Sequence, residues 1–320
     1  MINLDLLLAE VNTVAISGHI KPDGDCVGST LAVYNYIKTY YPKIRVDLYL
    51  DSIPKEFEFL NASEEIKSER NEDICYELFM SLDCGDLERL GESRKYFESA
   101  EHTLNIDHHI SNTMFGEYQY VIPEASSTSE LVFHLIPKER MTKEIAECIY
   151  TGIVHDTGVF QYSCTKRSTM EAAGFLMEYG INYPKIVSET YFMKTFQQNK
   201  IFGTALMKSI LHLNGTCISA IITKEDMDAC GADVNDLSGI VSELRSTKGV
   251  ETALFVYQTG VNEYKVSCRS AEYVDVSEIA VRHGGGGHKR AAGLTMCGNP
   301  EEIVNQLVKE IEEAMKALNN

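Results

Sequence analysis

A loop rich in metal-binding side chain types follows the first predicted strand. It reads His19-Ile-Lys-Pro-Asp23-Gly-Asp25-Cys-Val-Gly28-Ser29, so one imidazole and two carboxylates share a tight turn. Open α/β sheets bind ligands at the carboxyl ends of their strands, where this loop lies. The spacing of Asp23 and Asp25 can direct two carboxylates at two adjacent cations. An acidic turn that caps the next helix has the same residue types, so the loop alone fits both interpretations.

Further acidic and imidazole residues end other predicted apolar segments. They are Asp83, the run Asp107-His108-His109, and Asp156. Asp and neutral imidazole together suit Mn²⁺ or a similar ion better than Ca²⁺, which prefers oxygen alone, or a thiolate zinc site. Two such ions about 3.5–4 Å apart, sharing one carboxylate, can hold a phosphoryl group and activate water. The pattern therefore predicts a divalent-metal centre suited to phosphoryl chemistry.

Short β-branched runs alternate with amphipathic stretches in the first half, as in an α/β fold with a mostly parallel, doubly wound sheet. The predicted strands are Thr13 to Ser17, Arg45 to Leu50, Ile74 to Leu82 and His102 to Ile106. The predicted helices are about Val27 to Thr39, Leu87 to Ser99, Thr128 to Leu135, Lys143 to Val154 and Thr169 to Tyr179. This arrangement would bring the acidic loops to one edge of the sheet.

The second half predicts a smaller α/β domain. Its predicted strands are Thr216 to Thr223, Thr252 to Tyr257 and Tyr264 to Cys268, the last two forming a hairpin, and its helices are Leu237 to Leu244 and Glu301 to Leu318. Helical periodicity from Tyr183 to Leu211 predicts one long helix or two abutting ones. We expect a metal-binding domain over 1–184, a helical connector over 185–211 and a second domain over 212–320. The connector's apolar face could pack within the chain or in a homodimer.

The composition is that of a soluble protein with an acidic surface. The chain has 29 basic and 47 acidic residues, a formal charge of −18. Such a field repels long nucleic acids and anionic membranes. Nine scattered cysteines without a C-x-x-C pair fit a reducing compartment. Without an evident signal peptide or apolar span, the cytoplasm is the expected location.

A glycine run in the second half predicts a small anion site. Four glycines precede His288, and glycines at 285, 286 and 287 would let a phosphate approach backbone N–H groups closely. Between Lys265 and Arg290, five Lys or Arg residues face three acids, a local excess of 5 − 3 = +2. Arg269 can bind a phosphate with two hydrogen bonds, and His288 can donate another. A bare glycine run is more often a linker, so the flanking cations carry this prediction.

Three other features have more than one interpretation. Ser127 and Glu130 have the spacing of a helix capping box, although the same helix start could bind an anion. His155 precedes Asp156 and could orient a metal ligand or simply pack in the core. Cys26 lies inside the acidic loop, where its oxidation could affect activity.

These motifs together resemble the DHH phosphoesterase superfamily. The resemblance rests on His19 to Ser29, Asp83, Asp107-His108-His109 with Asn112, and Asp156-Thr-Gly-Val-Phe160. The second half, with Arg269 and His283-Gly-Gly-Gly-Gly-His288, is similar to the DHHA1 substrate-binding domain. The resemblance covers nearly the whole chain.

The resemblance implies a set of roles for these residues. One metal ion would be held by His19, Asp23 and Asp83, and a second by Asp25, Asp83, His108 and Asp156. Asp83 would bridge the two ions, which are expected to be Mn²⁺. His109 would face the scissile phosphate as an acid or charge stabiliser, and Asp107 would orient a histidine.

Within the superfamily, the compact two-domain oligoribonuclease and 3′-phosphoadenosine-5′-phosphate (PAP) phosphatase type fits this chain best. Family II pyrophosphatases lack the second-domain motif, and RecJ-like exonucleases carry an additional nucleic-acid-binding domain. Short RNA or small nucleotide bisphosphates also suit the charge, since a few phosphates can be neutralised locally. Hydrolysis of linear or cyclic dinucleotides, RecJ-like exonuclease activity and a non-catalytic nucleotide sensor remain alternatives.

Overall fold

The computed structural model describes residues 2–70 and 73–318. It divides into two compact units, Met1–Met193 and Lys194–Asn320. Each unit has its own sheet, covered by helices on both faces.

The first unit is built on a five-stranded sheet in the order β2-β1-β3-β4-β5, with every neighbouring pair parallel. Its strands are β1 Thr13–Ser17, β2 Arg45–Tyr49, β3 Leu78–Leu82, β4 His102–Asp107 and β5 Tyr118–Val121. Met80 packs into the larger core on one face, and Phe79 packs with aromatic residues on the other. Burial on both faces is typical of parallel sheets, and it explains the continuous apolar strands.

The helices of the first unit cover these two faces. They are α1 Leu4–Ala9, α2 Gly24–Tyr40, α3 Arg94–Ser99, α4 Thr128–Leu135, α5 Lys143–Asp156, α6 Arg167–Met177 and α7 Tyr183–Val187. Short 3₁₀ helices lie at Lys55–Phe57, Ser63–Glu65, Glu88–Ser93 and Lys138–Arg140, and a π-helical turn lies at Ser188–Phe192. Helices α2 and α5 approach so closely at Gly28 that a Cβ there would lie 2.5 Å from the carbonyl oxygen of Cys148, and glycine makes this approach possible.

The second unit has a mixed six-stranded sheet in the order β10-β11-β9-β8-β7-β6. Its strands are β6 Ile210–His212, β7 Cys217–Ile222, β8 Thr252–Gly260, β9 Glu263–Ser270, β10 Gly286–His288 and β11 Ala291–Cys297. Its helices are α8 Phe196–Met207, α9 Lys224–Cys230, α10 Ile240–Arg245, α11 Val276–Arg282 and α12 Pro300–Leu318, with 3₁₀ turns at Leu213–Gly215 and Val234–Leu237. Within this sheet, β7 and β8 pair in parallel, and the other neighbouring strands that the structure describes pair antiparallel.

The α/β class, the parallel first sheet and the smaller α/β second unit confirm the predicted fold. The hairpin of β8 and β9 is also confirmed as antiparallel. The prediction for Tyr183 to Leu211 is one long helix or two abutting ones. The structure has two helical segments, Tyr183–Val187 continued by Ser188–Phe192 and then Phe196–Met207, with a break at residues 193–195, so a single long helix is wrong. The predicted helical stretch also extends too far, because Ile210 and Leu211 belong to β6. The apolar spacing there reflects packing of separate elements, which periodicity alone does not divide.

Several elements have no counterpart in the prediction. Strand β5 is a half-buried edge strand with a weak apolar signal, helices α9 and α11 have seven residues each, and β10 has three. Strand β11, with seven residues, was also not predicted. Strand β3 begins at Leu78, four residues after the predicted start. Among the described residues, no helix combines the length and apolar character that a bilayer crossing requires.

Candidate metal centre

The predicted site residues of the first unit converge at the carboxyl edge of its sheet. The strand order 2-1-3-4-5 places a topological switch point between β1 and β3, where open α/β sheets form a crevice. His19 follows β1, Asp83 follows β3, and His108 follows β4. Asp156 reaches the same place from the end of α5.

The loop after β1 brings His19 close to two carboxylates. Its Nε2 atom lies 3.5 Å from Oδ2 of Asp83 and 3.7 Å from Oδ2 of Asp23. The other ring nitrogen, Nδ1, lies 2.9 Å from the carbonyl oxygen of Ile20 and donates its proton there. This bond selects the tautomer in which Nε2 keeps a lone pair facing the carboxylates. The loop itself is fixed because Asp23 caps α2, accepting from the N–H groups of Asp25 and Cys26.

Asp25 is completely buried and is held by the start of helix α4. Its Oδ2 accepts from the N–H of Thr128 at 2.6 Å, and its Oδ1 accepts from the N–H of Ser129 at 2.9 Å. A helix start binds anions through such free N–H groups. The start of α4 therefore does bind an anion, as one interpretation of the sequence predicted, and that anion is the carboxylate of Asp25 in the same chain.

Asp83 presents its two oxygens to different histidines. Oδ2 lies 3.5 Å from Nε2 of His19, whereas Oδ1 lies 3.6 Å from Nε2 of His108. Oδ1 also accepts a hydrogen bond from the hydroxyl of Thr128 at 3.1 Å. The residue has a left-handed backbone with φ of 54°, which Asp tolerates, and its N–H donates to Ile106 of β4. This is the arrangement required of a carboxylate shared by two cations.

His108 and Asp156 form the opposite side of the cluster. Nε2 of His108 lies 3.0 Å from Oδ2 of Asp156 and 4.0 Å from Oδ2 of Asp25. Directly after Thr157 the chain makes a left-handed turn, with φ of 56° at Val159 and 64° at Phe160. Each such residue costs about 1–2 kcal/mol, so the turn needs compensating bonds. The N–H of Val159 donates to the carbonyl of Val154 at 2.8 Å, which holds the chain reversal beside Asp156.

His109 belongs to a separate hydrogen-bonded chain. Its Nδ1 donates to Oδ1 of buried Asp107 at 2.7 Å, and Oδ2 of Asp107 accepts from the amide of Asn112 at 2.6 Å. Asp107 thus orients His109 rather than His108. The side chain of His109 is 25% exposed, and the hydrogen bond from Nδ1 leaves Nε2 as the other ring nitrogen that can act on a ligand.

The electrostatics of the cluster favour a cation. Burial lowers the pKa of His19, but Asp23 and Asp83 outweigh this effect and raise it to about 10. Burial and the charges of Asp83 and Asp156 hold the pKa of Asp25 well above its usual range. Buried carboxylates that repel one another and attract protons are stabilised equally well by a divalent ion. The residues therefore fit a metal centre, with oxygen and imidazole donors.

Compact donor groups show which residues lie closest. Among the described residues, three groups have ligand atoms that all lie within 4.8 Å of one another: His19, Cys26 and Asp83; Asp83, His108 and His109; and Asp25, His108 and Asp156. Asp23 is in none of these groups, although it lies beside His19. Cys26 was not predicted as a metal ligand, and Thr128 was not predicted as part of the site. The sequence signal that could have found Thr128 is the capping-box spacing of Ser127 and Glu130, because it marks a helix that starts at Thr128.

The predicted anion site of the second unit forms a row across three strands. Arg269 on β9 is opposite Ala291 on β11, which is opposite His288 on β10. Directly opposed residues of antiparallel strands share a face, so Arg269 and His288 project from the same side of the sheet. Neighbouring strands are about 4.8 Å apart, so the backbones of β9 and β10, which lie on either side of β11, are roughly 10 Å apart. The small side chain of Ala291 lies between Arg269 and His288.

The glycine run packs as an edge strand rather than as a free loop. Gly286 and Gly287 belong to β10, and a Cβ at Gly287 would lie 2.4 Å from the carbonyl oxygen of Ala291. A Cβ at Gly285 would lie 2.3 Å from the carbonyl oxygen of Gly293. By contrast, Gly286 has nothing within 4 Å of its added Cβ. Two of the predicted glycines thus serve sheet packing, and the space at Gly286 is open to a ligand.

His155 lies beside the cluster but does not join it. Its Nε2 is 2.8 Å from the hydroxyl of Thr190, and its ring packs edge-on against Phe57. Burial lowers the pKa of His155 to about 4, so it is neutral. A Cβ at Gly24 would lie 2.3 Å from this ring. His155 therefore supports the start of α2 by packing.

Two family models match separate parts of the chain. Residues 13–153 match the DHH family, N-terminal domain, and residues 217–317 match the DHHA1 domain. The first unit therefore contains a DHH N-terminal domain, and the second unit contains a DHHA1 domain. The family predicted from the sequence is thus confirmed, and with it a hydrolase that acts on phosphoester bonds.

Individual relatives are similar over nearly the whole length of this chain. The bifunctional oligoribonuclease and PAP phosphatase NrnA of Thermus thermophilus is 29% identical, with 97% of this chain and 93% of the relative covered. NrnA of Bacillus subtilis is 27% identical, with 89% and 90% covered. The crystal structure of an exopolyphosphatase-related protein from Bacteroides fragilis has a TM-score of 0.91 at 26% identity, covering 99% of this chain and 96% of that one.

Proposed function

We propose that this protein hydrolyses short oligoribonucleotides to mononucleotides and also removes phosphate from PAP. The observation that carries the proposal is Asp83, whose two oxygens face His19 and His108 within a buried cluster. Both NrnA relatives, which carry these two activities in their names, are similar over about nine-tenths of the chain or more.

Two divalent ions, which we propose to be Mn²⁺, complete the site. His19, Asp23 and Asp83 would hold one, and the other would be held by Asp25, Asp83, His108 and Asp156. Such ions neutralise the phosphate and lower the pKa of the attacking water. The helix cap holds Oδ1 of Asp23, whereas Oδ2, 3.7 Å from Nε2 of His19, faces the position of the ion that His19 and Asp83 would share.

His109 is positioned to handle a proton or a negative charge at its Nε2. Its hydrogen bond with Asp107 raises the pKa of His109 and so favours the imidazolium form. Because Nδ1 is held by Asp107, the proton on Nε2 is the one that can be offered to a phosphate oxygen or a leaving group. Asn112 keeps Asp107 in place for this role.

The second unit carries its own group of phosphate-binding candidates. Arg269 and His288 offer cationic or donor groups on one face of the sheet, with the open backbone at Gly286 beside them. This local positive charge suits a substrate with a few phosphates. The formal charge of −18 opposes long polyanions. The nine free cysteines fit a reducing cytoplasm as the place of action.

A competition assay tests the substrate assignment. PAP, a trinucleotide, a cyclic dinucleotide and a long single-stranded RNA are mixed in equal amounts with the protein and Mn²⁺, and products are separated by chromatography. We expect mononucleotides to form first from the trinucleotide, with phosphate release from PAP. Rapid loss of the long RNA would favour a RecJ-like exonuclease, and preferred cleavage of the cyclic dinucleotide would favour a signalling phosphodiesterase. Binding without turnover would indicate a sensor.

Asp83→Ala tests the shared-ligand arrangement directly. We expect loss of turnover and weaker binding of both ions, because one carboxylate serves both. Asp228→Asn is the matched control, since that aspartate is 64% exposed and pairs only with the surface residue Lys224 in the described contacts. Normal turnover in Asp83→Ala would exclude the two-ion site.

A further inference from the structure

The thiol of Cys26 lies inside the metal centre but outside the ligand sets proposed above. Its Sγ, a ring nitrogen of His19 and a carboxylate oxygen of Asp83 all lie within 4.8 Å of one another. The three residues are buried, with exposures of 0%, 4% and 2% for Cys26, His19 and Asp83. A sulfur, a nitrogen and an oxygen donor therefore converge in the protein interior.

The backbone holds this sulfur in place. Cys26 lies in the first turn of α2, and its N–H donates to the capping carboxylate of Asp23 at 3.1 Å. The sulfur packs against Gly18, where an added Cβ would lie 2.2 Å from Sγ, so only glycine leaves room for it. The S–H group is 4.0 Å from the carbonyl oxygen of His19, a long and weak hydrogen bond. Packing therefore positions a thiol that keeps its capacity to bind a cation.

The spacing of the nitrogen and oxygen donors suits a tetrahedral ion. Zinc–ligand distances of about 2.0–2.3 Å place two ligand atoms about 3.4–3.6 Å apart on one tetrahedral ion. Nε2 of His19 and Oδ2 of Asp83 are 3.5 Å apart. Nε2 is the nitrogen with the available lone pair, because Nδ1 donates to Ile20.

We propose that His19, Cys26 and Asp83 form a site for a thiophilic divalent cation, such as Zn²⁺ or Cd²⁺, that competes with Mn²⁺. Thiolate with imidazole and carboxylate suits these cations, whereas Mn²⁺ prefers oxygen and imidazole donors. When the cation binds, the S–H bond breaks, the sulfur donates its electron pair to the cation, and the proton passes to solvent. This inference rests on the proposed function, because exclusion of Mn²⁺ from His19 and Asp83 is what stops turnover.

A cadmium titration tests the site. The parent protein is the full chain with the exposed Cys75 and Cys297 replaced by serine, which removes competing surface thiols. Cd²⁺ is added to metal-free protein, and the thiolate-to-cadmium absorption in the ultraviolet is recorded. We expect Cys26→Ser to remove most of this band and to weaken Cd²⁺ binding by about 100-fold, the upper end of the range for residues that only orient a ligand, because one of the three protein ligands is lost. Cys84→Ser is the matched control: this buried thiol also adjoins Asp83, but its Sγ donates to the carbonyl of Asp86 at 3.1 Å.

An independent measurement covers the case in which Cys26→Ser does not fold. X-ray absorption of the zinc-loaded parent should show a sulfur neighbour at about 2.3 Å from zinc. A shell of oxygen and nitrogen alone, or a Cys26→Ser protein that binds Cd²⁺ as tightly as the parent, would overturn the proposal. Circular dichroism of each variant establishes whether it has folded.

Activity measurements separate this proposal from the proposed function. With Mn²⁺ present, we expect Cd²⁺ to inhibit trinucleotide hydrolysis by the parent. The Cd²⁺ concentration that halves the rate should be about 100-fold higher for Cys26→Ser than for the parent, with each protein's rate expressed as a fraction of its own rate without Cd²⁺. An active parent whose cadmium band does not depend on Cys26 would refute the thiophilic site alone. A parent without Mn²⁺-dependent turnover, but with a Cys26-dependent band, would refute the proposed function alone.

Discussion

Replacing Thr128 by valine tests whether the start of α4 orients the carboxylates of the metal centre. Valine keeps a similar shape and the backbone N–H that donates to Asp25, but it removes the hydroxyl that donates to Oδ1 of Asp83 at 3.1 Å. Water cannot readily replace that bond, because Thr128 is 0% and Asp83 2% exposed. A hydrogen bond to a charged group contributes about 1.5–3 kcal/mol, or about 10- to 150-fold in an equilibrium constant. We therefore expect Mn²⁺ affinity to fall by about 10- to 100-fold, as for other residues that orient metal ligands.

Calorimetric titration with Mn²⁺ measures this effect apart from activity. We also expect kcat for the trinucleotide to fall at limiting Mn²⁺ with little change in KM, because Thr128 contacts the carboxylates of the metal centre. Thr128→Ser retains the hydroxyl and should restore most of the affinity. If Thr128→Val folds and binds Mn²⁺ as tightly as the unmodified protein, the hydroxyl does not orient Asp83.

Three further changes test packing, charge and substrate binding. Gly152→Ala should lower the free energy of unfolding by about 1–3 kcal/mol, because its Cβ would lie 1.9 Å from Oγ of Ser129. Gly174→Ala is the control and should not lower it, because nothing lies within 4 Å of the added Cβ. Equal stability of the two variants in urea titrations would contradict this prediction. Hydrogen bonds hold the pKa of Glu130 at about 2 despite burial, which otherwise raises it. The ionised form of Glu130 should therefore contribute about 3 kcal/mol to the free energy of unfolding above pH about 4.5, and this contribution should be lost as the pH falls towards 2. The difference in unfolding free energy between the unmodified protein and Glu130→Gln should shrink over that range. A difference that stays constant with pH would refute the assignment. Arg269→Ala should mainly raise KM for the trinucleotide; a fall in kcat at unchanged KM would remove Arg269 from substrate binding.

The sequence was sufficient for the fold class and for the residue types of the candidate metal centre. Buried parallel strands need apolar residues on both faces, so β1 is recognisable as a continuous apolar run, and its bounds agree with the prediction. The acidic and imidazole residues stand where those runs end, which is why His19, Asp83 and His108 could be selected together. Short or half-buried elements such as β5 carry too little apolar signal to be selected in the same way.

The sequence by itself determined which residue types stand at the ends of the strands, and these types pointed to a candidate metal centre and to the DHH and DHHA1 domains. Only the tertiary structure decided which oxygen of Asp83 faces which histidine, that the start of α4 binds Asp25, and that Cys26 lies beside His19. It also decided that Gly287 serves strand packing. Spacing along the chain specifies local conformation, whereas these contacts join residues from separate strands and helices, and their geometry is set by how those elements pack.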